Sequence, residues 1–79
     1  MQSLPTLGVN LTHARKRQYP NDTQVTFAVR VGVSKATYSR MEKGDLSIGL
    51  GKYHAAAKLL DLQDTFEQLL LMPVSLLDD

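Results

Sequence analysis

Apolar and small residues recur at helical spacing through most of the chain, and the breaks between them fall at Pro, Gly and good capping residues. Residues 1–6 carry no such pattern and read as a flexible N-terminal arm. From Leu7 onward, Leu7, Leu11 and Ala14 share one face. Arg15, Lys16 and Arg17 gather in what would be the last turn, where cations suit the helix dipole. Tyr19-Pro20-Asn21-Asp22 ends this first helix, because Pro disfavours helical backbone at the residue before it. A second helix over about 24–31 opens at Thr23, a good N-cap, turns Val25, Phe27, Ala28 and Val31 inward and stops at Gly32.

Only Val33 separates Gly32 from Ser34, the natural cap of a third helix over about 35–43. That helix carries Thr37, Tyr38 and Met41 inward, and Gly44 ends it. A fourth helix is predicted near 50–61, with Leu50, Tyr53, Ala57 and Leu60 as one stripe, and a short fifth near 64–71, with Phe66, Leu69, Leu70 and Leu71, terminated by Pro73. The segment 73–79 is apolar, then acidic, and reads as a tail that could form a short strand or an extended arm. The predicted architecture is all-α: five helices over 7–72 with a short apolar C-terminal extension. Helices two and three, joined by a tight turn containing Gly, form a helix-turn-helix unit.

Composition adds constraints. At 79 residues there is one core, burying only around 60% of the unfolded surface, so help from a disulfide, a metal or a partner is expected. There is no Cys, which removes disulfides and thiolate metal sites and fits a reducing cytoplasmic setting. His13 and His54 lie on separate predicted helices without a carboxylate cluster, so no metal or other cofactor is expected. Neither a membrane-length apolar run nor a charged-then-apolar leader is present, which predicts no membrane partner. No nucleophile–base arrangement or Gly-rich phosphate loop appears; Gly49 and Gly51 lack a preceding strand and read as loop and cap, so the chain is not expected to be an enzyme. Charge is unevenly distributed. Residues 1–58 hold all nine Lys and Arg against Asp22, Glu42 and Asp45. Residues 59–79 hold no base and the acids Asp61, Asp64, Glu67, Asp78 and Asp79. A basic body suits a polyanion, and the acidic end should face away from it.

Thr23-Gln24, Ala28, Gly32-Val33-Ser34, Ser39-Arg40 and Glu42-Lys43-Gly44 together resemble the lambda-repressor/Cro, or Xre-type, helix-turn-helix family over roughly residues 7–62. The resemblance implies a lambda-repressor-like DNA-binding domain. Further along, Glu42-Lys43-Gly44-Asp45, Ile48-Gly49-Leu50-Gly51 and Ala57 to Leu62 are similar to HipB-like antitoxins that accompany HipA-like kinase toxins and repress their own operon as dimers. Three features depart from the family pattern: Tyr38 stands for the usual Ile, Gly49 for a capping Ser, and the first connection has an extra Pro. Gly remains an acceptable N-cap.

In such a unit the third helix enters the major groove of double-stranded DNA. Its outer face would be Ser34, Lys35, Ala36, Ser39 and Arg40, with Lys35 or Arg40 suited to guanine O6/N7 and the Ala36 methyl to thymine. Thr23, Gln24, Thr37, Lys43 and Lys52 are the candidate phosphate contacts, Gln24 lying at a helix N-terminus where an anion is favoured. The resemblance implies that Arg15, late in the first helix, pairs with Glu42. A homodimer reading a palindromic operator follows from the small core and from half-sites about 34 Å apart. Its interface, or that of a toxin kinase, would be Phe66, Leu69, Leu70, Met72, Val74, Leu76 and Leu77, too many apolar residues for a short tail to bury alone. Two further readings remain: an interaction module that neutralises a toxin kinase, with DNA binding secondary, and a phage-type repressor without a toxin.

Overall fold

Pro5 begins α1 (Pro5–Gln18) at a position where its missing N–H costs nothing, so the helix starts two residues before the apolar pattern does. The computed structural model describes residues 2–72; Val74, Leu76 and Leu77 therefore lie outside the described residues. Gly8, Leu11 and Arg15 form the buried stripe of α1, and the Tyr19 N–H closes its last turn on the Arg15 carbonyl. α2 (Gln24–Val31) is bounded by two strong local signals. Thr23 and Thr26 cap each other's backbone N–H groups, and Gly32 takes a left-handed φ of 88° that a β-carbon would disfavour. After Val33, Ser34 accepts the Thr37 N–H and opens α3 (Lys35–Met41). α4 (Leu50–Leu59) and the single-turn α5 (Gln63–Glu67) complete five helices, with no strand among the described residues, as the all-α expectation requires.

The core lies between α2, α3 and α4, with α1 and α5 against its flanks. Phe27 and Tyr38 are wholly buried and meet edge to face, with ring centroids 5.3 Å apart; the tilted ring of Tyr19 also packs on Phe27, at 5.2 Å. Met41, Tyr53, Ala56 and Leu60 close the cluster.

Several expectations need correction. The arm is not loose over 2–4: Leu4 N–H donates to Gly44 O, Leu46 N–H donates to Gln2 O, and Ser3 bridges Asp45, so this segment supplies the loop after α3 with backbone partners. α3 ends at Met41 rather than 43, because the Lys43 and Gly44 N–H groups turn to the Arg40 and Met41 carbonyls three residues back, before Gly44 (φ 73°) redirects the chain. α4 ends at Leu59 rather than 61, with Asp61 at φ 58°. α5 spans Gln63–Glu67 rather than 64–71, and Leu70 (φ 66°) lies in left-handed backbone. Val25 and Leu50, expected inward, are exposed, and Ala56, which the stripe did not include, is buried beside Tyr53 and Ala57.

Candidate nucleic-acid interface

The candidate interface rests on a buried polar knot that fixes α3 against α1 and α2. Glu42 follows core residue Met41, and its carboxylate side chain is only 4% exposed. Arg15 Nε donates to its Oε2 at 2.7 Å, Thr12 Oγ1 and Gln24 Nε2 donate to its Oε1 at 3.0 and 2.9 Å, and the Tyr38 hydroxyl donates to Oε2. One carboxylate thereby ties α1, α2 and α3 together. Arg15 also donates through Nη1 to the Asp22 carbonyl at 3.0 Å, holding the α1–α2 connection. The two residues that the resemblance paired are thus brought together. Thr12 and Tyr38, which the sequence reading did not assign to this site, complete it. Tyr38 lies four residues before Glu42, a spacing that places both on one helical face.

A second cluster organises the loop beyond α3. Asp45 is fully buried and accepts the Ser47 N–H at 2.8 Å, the Ser47 hydroxyl at 2.7 Å and Arg40 Nε at 2.7 Å. Its backbone carbonyl accepts the Tyr53 hydroxyl at 2.7 Å. Neither Asp45 nor Ser47 stood among the candidate residues, although a side chain bonding the N–H two residues on is a familiar property of Asp in turns.

Both carboxylates titrate low. At Glu42 burial works toward a raised value, but the hydrogen bonds from Arg15, Tyr38, Gln24 and Thr12 outweigh it and hold the group below the ordinary 4.5. At Asp45 the Ser47 backbone and hydroxyl donors, with Arg40, outweigh burial and hold it below 3.8. Burial and the bond to Glu42 push the Tyr38 phenol up. A carboxylate with a lowered folded pKa stabilises the fold above its unfolded value, and that contribution disappears as pH falls through the lower folded value. The melting temperature is therefore expected to hold from neutrality down to about pH 5 and to fall steeply below the ordinary carboxylate values, as measured by circular dichroism. A midpoint that stayed level into strong acid would contradict the low titration of both groups.

Around these anchors the candidate contact residues are distributed as follows. Lys35 and Ala36 are exposed in the first turn of α3, on the side away from Tyr38 and Met41; Ser39 and Thr37 are half-buried. The Ser34 hydroxyl donates to Thr37 Oγ1 at 3.0 Å and accepts the Thr37 N–H, so it is engaged as a cap. Arg40, about half exposed, is held by Asp45 and Ser47. At the start of α2, Thr23 is exposed. Gln24 spends one amide N–H on Glu42, leaving the other N–H of the same nitrogen. Lys43 and Lys52 are exposed beyond α3 and in the first turn of α4. Phe66, expected at an interface, instead turns partly onto its own chain, against the His54 ring at 5.0 Å, while Leu69, Leu70, Leu71 and Met72 are exposed.

The family model described as Helix-turn-helix matches residues 15–65, about two thirds of the chain, from Arg15 late in α1 to Thr65 within α5. The chain belongs to the helix-turn-helix family. Comparison with curated proteins and with solved structures returns no match. This helix-turn-helix protein is accordingly a DNA-binding transcription regulator. No helix among its described residues is long and apolar enough to cross a membrane.

Proposed function

We propose that this helix-turn-helix protein is a repressor that binds a specific double-stranded operator, reading base edges in the major groove with α3. The observation that carries the reading is the division of α3 into two faces. Tyr38 and Met41 have no exposed surface, whereas Lys35, Ala36 and Arg40 stand outward on a helix locked to α1 and α2 through Glu42. A rigidly mounted helix with exposed residues in its first turn is what base-edge recognition requires. Lys35 and Arg40 supply donors for guanine, and Ala36 supplies a methyl for thymine. Thr23, Gln24, Thr37, Lys43 and Lys52 are assigned to phosphates, which set position without carrying sequence information. The test is a fluorescence titration of the protein against duplex from its own upstream region and against shuffled duplex, over a range of salt. Tight binding to the first alone, weakening with salt, supports the repressor. Equal weak binding to both refutes it.

The operator is proposed to be palindromic and the protein a homodimer, joined through the apolar surface after α5. Leu70 is 98% exposed and stands beside exposed Leu69, Leu71 and Met72. Because Leu70 makes so little contact within its own chain, Leu70→Glu should change folding stability by no more than about 0.5 kcal/mol. It should nevertheless convert the dimer to a monomer in sedimentation; a dimer that persists would place the contact elsewhere. The same exposed surface favours the finer reading in which the protein is the autoregulating, HipB-like antitoxin of a HipA-like kinase. Co-expression with such a kinase should then yield a stable complex that loses its kinase activity.

A further inference from the structure

Arg40 differs from the other outward cations of the candidate interface in being tied at its inner edge. Its Nε donates to Asp45 Oδ2 and its Nη2 to Ser47 Oγ, each at 2.7 Å. Asp45 is completely buried and Ser47 braces it with two more hydrogen bonds, so the anchor is rigid. Among the described residues Arg40 is the cation within ion-pair distance of that carboxylate. Swinging Arg40 away toward a phosphate would strand a buried negative charge, which is costly. The guanidinium therefore stays where Asp45 puts it, with the Nε–Nη2 edge occupied and Nη1 and the second N–H of Nη2 directed elsewhere. Two terminal nitrogens in a fixed plane match the paired O6 and N7 acceptors of guanine.

Resting on the DNA-reading role of α3 given above, we propose that Asp45 is a positioning residue for sequence recognition, fixing Arg40 as a reader of a guanine edge and offsetting the charge that would make it a non-specific phosphate contact. Two consequences distinguish this from a loop that merely needs Asp45 to fold. Arg40, paired with a fixed anion, releases few counterions when DNA binds, so it contributes specificity with little salt dependence. Removing the Asp45 charge frees a mobile cation and adds one net positive charge at the interface, which improves binding to any DNA.

The experiment uses the full chain and a duplex selected by the wild-type protein from a random pool, with a shuffled duplex beside it, each titrated over a salt series. For Asp45→Asn, binding to the shuffled duplex should tighten, its salt slope should steepen by about one, and the preference for the selected duplex should fall about ten-fold. For Arg40→Gln combined with Asp45→Asn, which removes both charges together and strands neither, the preference should fall similarly, with the salt slope on the selected duplex almost unchanged. Asp45→Asn weakening both duplexes by one factor would mean a purely structural role and overturn the proposal. That double variant lowering the slope by about one on both duplexes would make Arg40 a phosphate contact and overturn it equally. Should Asp45→Asn fail to fold, Ser47→Ala removes an exposed hydroxyl from both Asp45 and Arg40. It should move preference in the same direction by less; an unchanged preference would overturn the proposal. A wild-type protein with no preference between the duplexes defeats the DNA-reading role itself. A wild-type preference that survives these variants defeats only the part assigned to Asp45.

Discussion

Glu42→Ala is expected to destabilise the fold by about 3–5 kcal/mol. The substitution takes a nearly buried carboxylate from four donors at once. Arg15, itself 9% exposed at its side chain, keeps only the Asp22 carbonyl, and Thr12, Gln24 and Tyr38 lose an acceptor. Breaking a buried ion pair from one side costs about 3–5 kcal/mol, because the abandoned charge stays in place without its partner. A chain of this length has roughly 4–12 kcal/mol of stability in total. The deletion therefore consumes a large share of it, and the thermal midpoint followed by far-ultraviolet circular dichroism should fall by at least about 12 °C. A Glu42→Ala protein that melts like wild type and has merely lost DNA affinity would show Glu42 to be a surface contact.

Gly8→Ala should also destabilise the fold, against the direction that helix propensity gives. Gly8 lies inside α1, where Ala is ordinarily preferred by about 1 kcal/mol. Here a β-carbon would collide with the Glu42 carbonyl oxygen and stand 2.6 Å from the Gly44 nitrogen. Those are backbone atoms, held by α3 and by the Leu4–Gly44 hydrogen bond, and cannot turn aside as a side-chain tip would. Overpacking of this kind costs about 1–3 kcal/mol, more where the obstacle is rigid. For a domain of this size the melting temperature should drop by about 10 °C. A Gly8→Ala protein more stable than wild type would mean that α1 does not approach the end of α3 so closely. Gly44 makes the complementary approach: its own β-carbon would strike the Leu4 carbonyl.

The helix-turn-helix unit was legible because its signals are local. Thr23, Gly32 and Ser34 act on their immediate backbone neighbours, so sequence spacing alone marks where α2 stops and α3 starts. The same holds for the inward placement of Tyr38 and Met41. What escaped the sequence depends on distant neighbours. Nothing in Gln2-Ser3-Leu4 announces that its backbone pairs with the loop at 44–46, since that pairing uses groups every residue carries. Asp45 reads as a solvated loop acid until Tyr53, Arg40 and the N-terminal segment are seen to close over it. Helical periodicity identified an apolar face on α2 and α4 but could not say how wide a strip the neighbours cover, which is why Val25 and Leu50 lie in solvent. At the interface, the exposure of Lys35 and Ala36 followed from their register opposite Tyr38. The tether on Arg40 was invisible, because its partners lie in a loop whose path no pattern encodes.

Backbone amide chemical shifts of the labelled protein, recorded while the selected duplex is added, test DNA recognition through α3 most directly. Recognition by this helix predicts the largest changes over residues 34–40, with smaller ones at Thr23, Gln24, Lys43 and Lys52 where phosphates would sit. If the largest changes instead fell on residues 62–72 while the amides of α3 stayed in place, α3 would not be the reading element.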